Sequence, residues 1–107
     1  MHTTSGYREE APSREAVDAM RGALVIEFGT DWCGHCQAAQ PAIASALAGR
    51  EGVEHLKIED GRGRPLGRSF RVKLWPTLVV MRDGTEVARV VRPTDAETVA
   101  EALRALD

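Results

Sequence analysis

Cysteine is scarce in this chain of 107 residues, with only Cys33 and Cys36 present. A domain of this length buries roughly 60 to 70% of the surface that its unfolded chain exposes, so no metal or disulfide framework is needed to hold it together. The pair is therefore free for another task. Excess charge is also lacking: the formal net charge is −2, whereas coating nucleic acid or an anionic membrane usually leaves a strongly basic total. The basic charge rests on twelve arginines and two lysines. Apolar runs are short, Leu78 to Met81 being an example, against the roughly 20 residues that span a bilayer. The opening residues, Met1 to Glu10, hold no apolar block of the secretory type. A cytoplasmic, reducing compartment is the resulting expectation. No repeat, low-complexity tract or linker divides the chain, so residues 1–107 read as a single domain.

Residues 1–12 are polar and suit a short edge strand or partial disorder. Ser13 is a candidate N-cap for a helix from Arg14 to Arg21, with Val17 and Met20 on one face and Gly22 as its stop. Ala23 to Phe28 reads as a buried strand, apolar except for Glu27. A turn at Gly29 to Asp31 leads into Trp32-Cys33-Gly34-His35-Cys36 and a helix to about Leu47 that contains Pro41. Val53 to Ile58 alternates like a strand, and Gly61 to Gly67 is too rich in breakers for a good helix. Leu78–Met81 and Val87–Val91 flank Asp83-Gly84, a tight-hairpin signal. Thr94 to Leu106 is an amphipathic helix, with Thr94 and Glu97 as a capping box. This order predicts an α/β fold: a central mixed sheet flanked by helices on both faces, with right-handed crossovers between the first parallel strands.

Cys33 and Cys36 sit where a buried strand passes into a helix. There the first thiol meets unsatisfied backbone N–H groups and the positive end of the helix dipole, which favour its reactive thiolate. The second lies three residues on, close enough to attack a mixed disulfide formed by the first. Other readings stand beside this one. A structural disulfide closing so short a loop would contribute only about 2 kcal/mol. A zinc site would need two more ligands from His2, His35 and His55. Two inert buried cysteines are the third alternative.

Taken together, Trp32-Cys33-Gly34-His35-Cys36, Pro41 five residues later, Trp75-Pro76-Thr77 and Asp83-Gly84 resemble the thioredoxin family, from about Leu24 to Asp107. The resemblance implies a thioredoxin fold and thiol-disulfide oxidoreductase activity with no bound cofactor, and no metal site is expected. It implies Cys33 as the attacking thiol, Cys36 as the resolving one and a cis Trp75-Pro76 bond opposite them. A substrate strand would then lie along Trp32, Trp75, Pro76 and Thr77. A carboxylate inside an apolar strand must either reach solvent or carry a raised pKa. The family places an acidic residue there, usually aspartate, to exchange protons with the resolving thiol, and Glu27 is longer by one methylene. His55 stands near a position where the family often has a lysine, although it reads more simply as an exposed strand histidine.

Gly34 and His35 tune the redox poise. Gly-His resembles the disulfide isomerases of the secretory pathway, where cytosolic reductants of the family carry Gly-Pro. A donor or positive charge on His35 would stabilise the thiolate and make the disulfide more oxidising. Arg62, Arg64, Arg68, Arg71 and Lys73, with no acidic residue among them, make a local positive face that suits an acidic partner. A merely solvated loop explains them equally well. Trp75 is bulkier than the usual residue before the proline, and Arg92-Pro93 stands where the family commonly has a glycine. The expected function is a cytoplasmic protein-disulfide reductase or specialised electron donor. Protein disulfides are its substrates, thioredoxin reductase a candidate partner, and the chain a monomer without nucleic-acid or membrane partners. The alternatives are a disulfide oxidase or isomerase, and a non-redox, chaperone-like module that uses the proline groove.

Overall fold

The computed structural model describes residues 6–107. Residues 1–5, with His2 and the first part of the proposed edge segment, lie outside the described residues. The elements run α1 (Arg14–Asp18), β1 (Ala23–Gly29), α2 (Gly34–Ala48), β2 (Val53–Glu59), α3 (Pro65–Ser69), β3 (Thr77–Arg82), β4 (Thr85–Val91) and α4 (Ala96–Leu103), and a 3₁₀ turn spans Arg104–Leu106. The strands form one four-stranded sheet in the order β2-β1-β3-β4. β1 is parallel to β2 and antiparallel to β3, and β3 and β4 form an antiparallel hairpin. This is the mixed sheet expected from the sequence.

Alternation along β1 divides the core into two layers. Leu24, Ile26 and Phe28 face Val17 of α1 and Leu66 and Phe70 at α3. Val25 faces the opposite layer, with Ala39 and Ile43 of α2 and Val99 and Leu103 of α4. Glu27 has the same parity as Val25, and so lies on the α2 side of the sheet. The hairpin turn has positive φ at both Asp83 (51°) and Gly84 (83°), as a type I′ turn requires.

Three local readings are corrected. The breaker-rich stretch after Gly61 does contain a helical turn, α3, because Pro65 occupies its first turn, where no N–H is needed. Burial of Leu66 and Phe70 then holds that turn in place. The last helix is capped by Asp95, not Thr94: the Asp95 carboxylate accepts the Thr98 N–H at 2.8 Å. The first helix ends at Asp18 and not Arg21. Outside β2, Arg8 makes a parallel bridge to Ile58, so part of the N-terminal segment does extend the sheet. Its amide donates to the Lys57 carbonyl and its carbonyl accepts from the Glu59 amide.

Candidate active site

The end of β1 delivers the chain directly into the cysteine motif. Cys33 is the N-cap of α2, and its Sγ accepts the Cys36 N–H at 3.2 Å. Both thiols are free. Cys33 is 8% exposed and Cys36 1%, so the first sulfur is the one nearer to solvent. Gly34 and His35, between them, are exposed. Burial first, and then the Cys33 sulfur, push the Cys36 thiol up to about 11. It is therefore protonated at neutral pH.

The Trp75-Pro76 peptide is cis, as the resemblance implied. Trp75 packs against the cluster of Tyr7, Cys33 and Cys36. Trp32, 75% exposed, meets Trp75 edge-on with ring centroids 5.8 Å apart. Pro76 and Thr77 are buried. The Thr77 hydroxyl donates to the Leu74 carbonyl at 2.6 Å, so it braces the turn from within. Arg92 has φ 51°, and its Nε donates to the Trp75 carbonyl at 2.8 Å.

Glu27 is fully buried, which overturns the reading of a carboxylate reaching out to solvent. The expected rise in its pKa is also corrected. Burial pushes the carboxyl upward, but hydrogen bonds from His55, Gln40 and Tyr7 outweigh it and hold the group below its ordinary range. Its Oε1 pairs with His55 Nε2 at 2.8 Å. Its Oε2 accepts from Gln40 Nε2 at 2.9 Å and from the Tyr7 hydroxyl. His55 is thus no bystander on the strand, although one edge of it stays wet. In the parallel register Lys57, not His55, lies opposite Glu27. Lys57 is buried and donates to Gln40 Oε1 at 2.8 Å.

Tyr7 has no counterpart among the residues singled out from the sequence. Its amide is tied to Asp31 Oδ1 at 3.0 Å, and Lys57 Nζ lies 4.8 Å from its ring centroid. Burial, and then the Glu27 charge, drive its phenol far above the ordinary range. Gly29 makes the close packing possible: a Cβ there would come within 2.6 Å of Cys36 Sγ and 2.9 Å of the Tyr7 hydroxyl. The arrangement is a chain of groups from Cys36 through Tyr7 to Glu27. Beside it is a cavity of about 70 Å³ bordered by Tyr7, Thr30, Cys36 and Lys57, room for one or two waters. No contiguous motif marks Tyr7; the only cue is an aromatic residue within an otherwise polar leader. Among the described residues, no group of three or more His, Cys, Asp or Glu side chains is placed to hold a metal ion. No helix there is long and apolar enough to cross a membrane.

The family model Thioredoxin matches residues 7–105. The structure of thioredoxin 2 from Pseudomonas aeruginosa in its reduced form superposes with a TM-score of 0.87 at 57% identity, covering 97% of this chain and 96% of that one. Thioredoxin from Chlamydia pneumoniae is 33% identical over 76 residues, 71% of this chain and 74% of that protein. Protein disulfide-isomerase A2 from Pongo abelii is 42% identical over 88 residues, which is 77% of this chain but only 17% of that much longer protein.

Proposed function

The chain belongs to the thioredoxin family, and we propose that it is a thiol-disulfide oxidoreductase that reduces protein disulfides through Cys33 and Cys36. One observation carries this reading: a buried thiol, Cys36, lies beside the more exposed Cys33 and against the Tyr7–Glu27 contact. Cys33, as thiolate, attacks one sulfur of the substrate disulfide. A Cys33–substrate disulfide forms, and the other substrate sulfur leaves and takes up a proton. Cys36 then loses its proton, attacks the Cys33 sulfur and releases the second substrate thiol. Two electrons pass to the substrate, whose second sulfur leaves as a thiolate; of the two protons its thiols take up, one originates from Cys36 by way of Glu27 and one from solvent, and the Cys33–Cys36 disulfide remains.

The second step needs a base, because the Cys36 thiol is held up to about 11. Glu27, ionised in its donor-rich pocket, takes that part. Tyr7 spans the gap, receiving the thiol proton on its oxygen as its own O–H proton passes to Glu27. Gly34 and His35 set the poise, and Trp32, Trp75, Pro76 and Thr77 form the substrate groove. Recharging by a thioredoxin reductase in the cytoplasm completes the proposal. Insulin reduction coupled to such a reductase tests it, and a Cys36→Ser variant should retain substrates as mixed disulfides. Absence of turnover with both reductase and dithiothreitol would sink it.

A second direction, disulfide formation or isomerisation, has the Gly34-His35 dipeptide and the likeness to protein disulfide-isomerase A2 in its favour. A potential above about −180 mV in glutathione buffers would select it.

A further inference from the structure

Trp75, which packs against the cluster of Tyr7, Cys33 and Cys36, also borders a cavity of about 380 Å³ that none of those three residues lines. Arg64, Arg68, Arg71 and Lys73 border it, together with Asp60 and Trp75. Its single acidic group is already engaged: Asp60 is buried and accepts the Trp75 Nε1–H at 2.8 Å. The same carboxylate lies so close to Gly67 that a Cβ there would fall 2.1 Å from its Oδ1. Arg64 is held by Glu59 at 3.1 Å. The side chains of Arg68, Arg71 and Lys73 have no ion-pair or hydrogen-bond partner among the described residues. Elsewhere the surface arginines 14, 50, 89 and 104 are each paired with a carboxylate. Arg21, Arg82 and Arg92 donate only to backbone carbonyls, so what sets this hollow apart is that three cations without a partner border the same cavity.

Arg71 adds a second departure. The Val72 amide donates to Gly67 O at 3.0 Å and the Arg71 amide to Arg68 O at 2.9 Å, the hydrogen-bond pattern of a Schellman cap on α3. Arg71 takes the left-handed position, φ 60°, which favours glycine. Arg71 borders the cavity, and its side chain ends in a planar two-pronged donor, a group suited to carboxylates.

We propose that this cavity docks an acidic segment of the protein whose disulfide is reduced, with Trp75 as the wall shared between the docked segment and the Cys33 groove. The substrate side of this inference rests on the redox reading above; the binding chemistry does not. Arg68 and Arg71 grip glutamate or aspartate side chains flanking the reacting cysteine, and Lys73 adds a third positive charge. The segment is thereby held while its sulfur lies at Cys33.

Two disulfide-bridged peptides test this, identical except that one carries a run of glutamates beside one cysteine and the other carries glutamines. The glutamate peptide should be reduced with a kcat/KM about tenfold higher or more, an advantage that shrinks as salt is raised. The charge-reversal variant Arg68→Glu/Arg71→Glu/Lys73→Glu should lose that preference while reducing the glutamine peptide at the wild-type rate. Arg71→Gly/Lys73→Gln, which relieves the backbone, should show the same trend if the triple variant misfolds. Binding of both peptides to Cys33→Ser/Cys36→Ser protein, followed by tryptophan fluorescence, separates the two proposals. Selective binding of the glutamate peptide without its reduction by the wild type keeps the docking site and overturns the redox reading. Equal binding and equal reduction of the two peptides overturn the docking site. Reduction of glutathione disulfide as fast as the glutamate peptide, lost equally in the variants, overturns the assignment to a peptide segment.

Discussion

Tyr7 shows how one side chain can join two buried groups that would otherwise be poorly matched. Its hydroxyl donates to Glu27 while its ring covers Cys36 and shares a cluster with Cys33. Tyr7→Phe removes one hydrogen bond to a carboxylate, which should lower stability by about 1 to 3 kcal/mol. It should also slow the resolving step by roughly tenfold to a hundredfold in single-turnover fluorescence, with an altered pH profile. A stability loss with an unchanged pH profile would make Tyr7 a packing residue only. The Cys36 thiol offers a direct titration, since Tyr7 is the only tyrosine and ionises far above the ordinary range. Thiolate absorbance of the reduced protein should show an upper step near about 11 that vanishes in Cys36→Ser. The sign for stability follows: a thiol raised in the fold contributes fully below its ordinary pKa and less as pH climbs through about 11. Arg71 sits in the left-handed region, so Arg71→Gly should raise stability by up to about 1 kcal/mol in thermal unfolding.

Among the elements, α4 provides a clear contrast between neighbouring residues. Thr94 and Asp95 are both plausible caps by type, and only Asp95 holds an amide of the helix, that of Thr98. Asp95→Ala should cost about 1 kcal/mol in urea unfolding, whereas Thr94→Ala should be within about 0.5 kcal/mol of wild type. The reverse order would restore the Thr94 cap. The β1–α2 junction has a different logic. A strand buried on both faces ends at Gly29, and the helix begins at Gly34 with Cys33 as its cap. The reactive sulfur is thereby held by backbone geometry, and not by a flexible loop.

Across the whole molecule, the sheet carries an ionic network on the same side as its second hydrophobic layer. Glu27, His55, Lys57 and Gln40 come from β1, β2 and α2 and meet above the sheet. A carboxyl depressed by the fold contributes stability above its ordinary pKa and loses it as pH falls through the folded value. The stability gap between wild type and Glu27→Gln should therefore be widest near neutral pH and close as pH falls below the ordinary carboxylate range. A gap that stays constant into acid would show that Glu27 is not ionised in the fold.

Hydrophobic alternation, the Asp83-Gly84 turn and the Cys-x-x-Cys spacing are local properties, and each can be read from neighbouring letters because strand, hairpin and helix start obey short periods. They were enough to place the mixed sheet and to set Cys33 and Cys36 at the start of α2, whereas the cis Trp75-Pro76 peptide was implied by the family resemblance alone. The surroundings of Glu27 were not legible in this way. Its partners lie 13, 20 and 28 positions away in the chain, and whether a buried carboxyl is raised or depressed depends on how many donors the fold gathers around it. Arg8 pairing outside β2 carries Tyr7 to Cys36, and parallel register puts Lys57 opposite Glu27. Side-chain chemistry named the two sulfurs; the packing of the sheet against α2 chose what stands behind them.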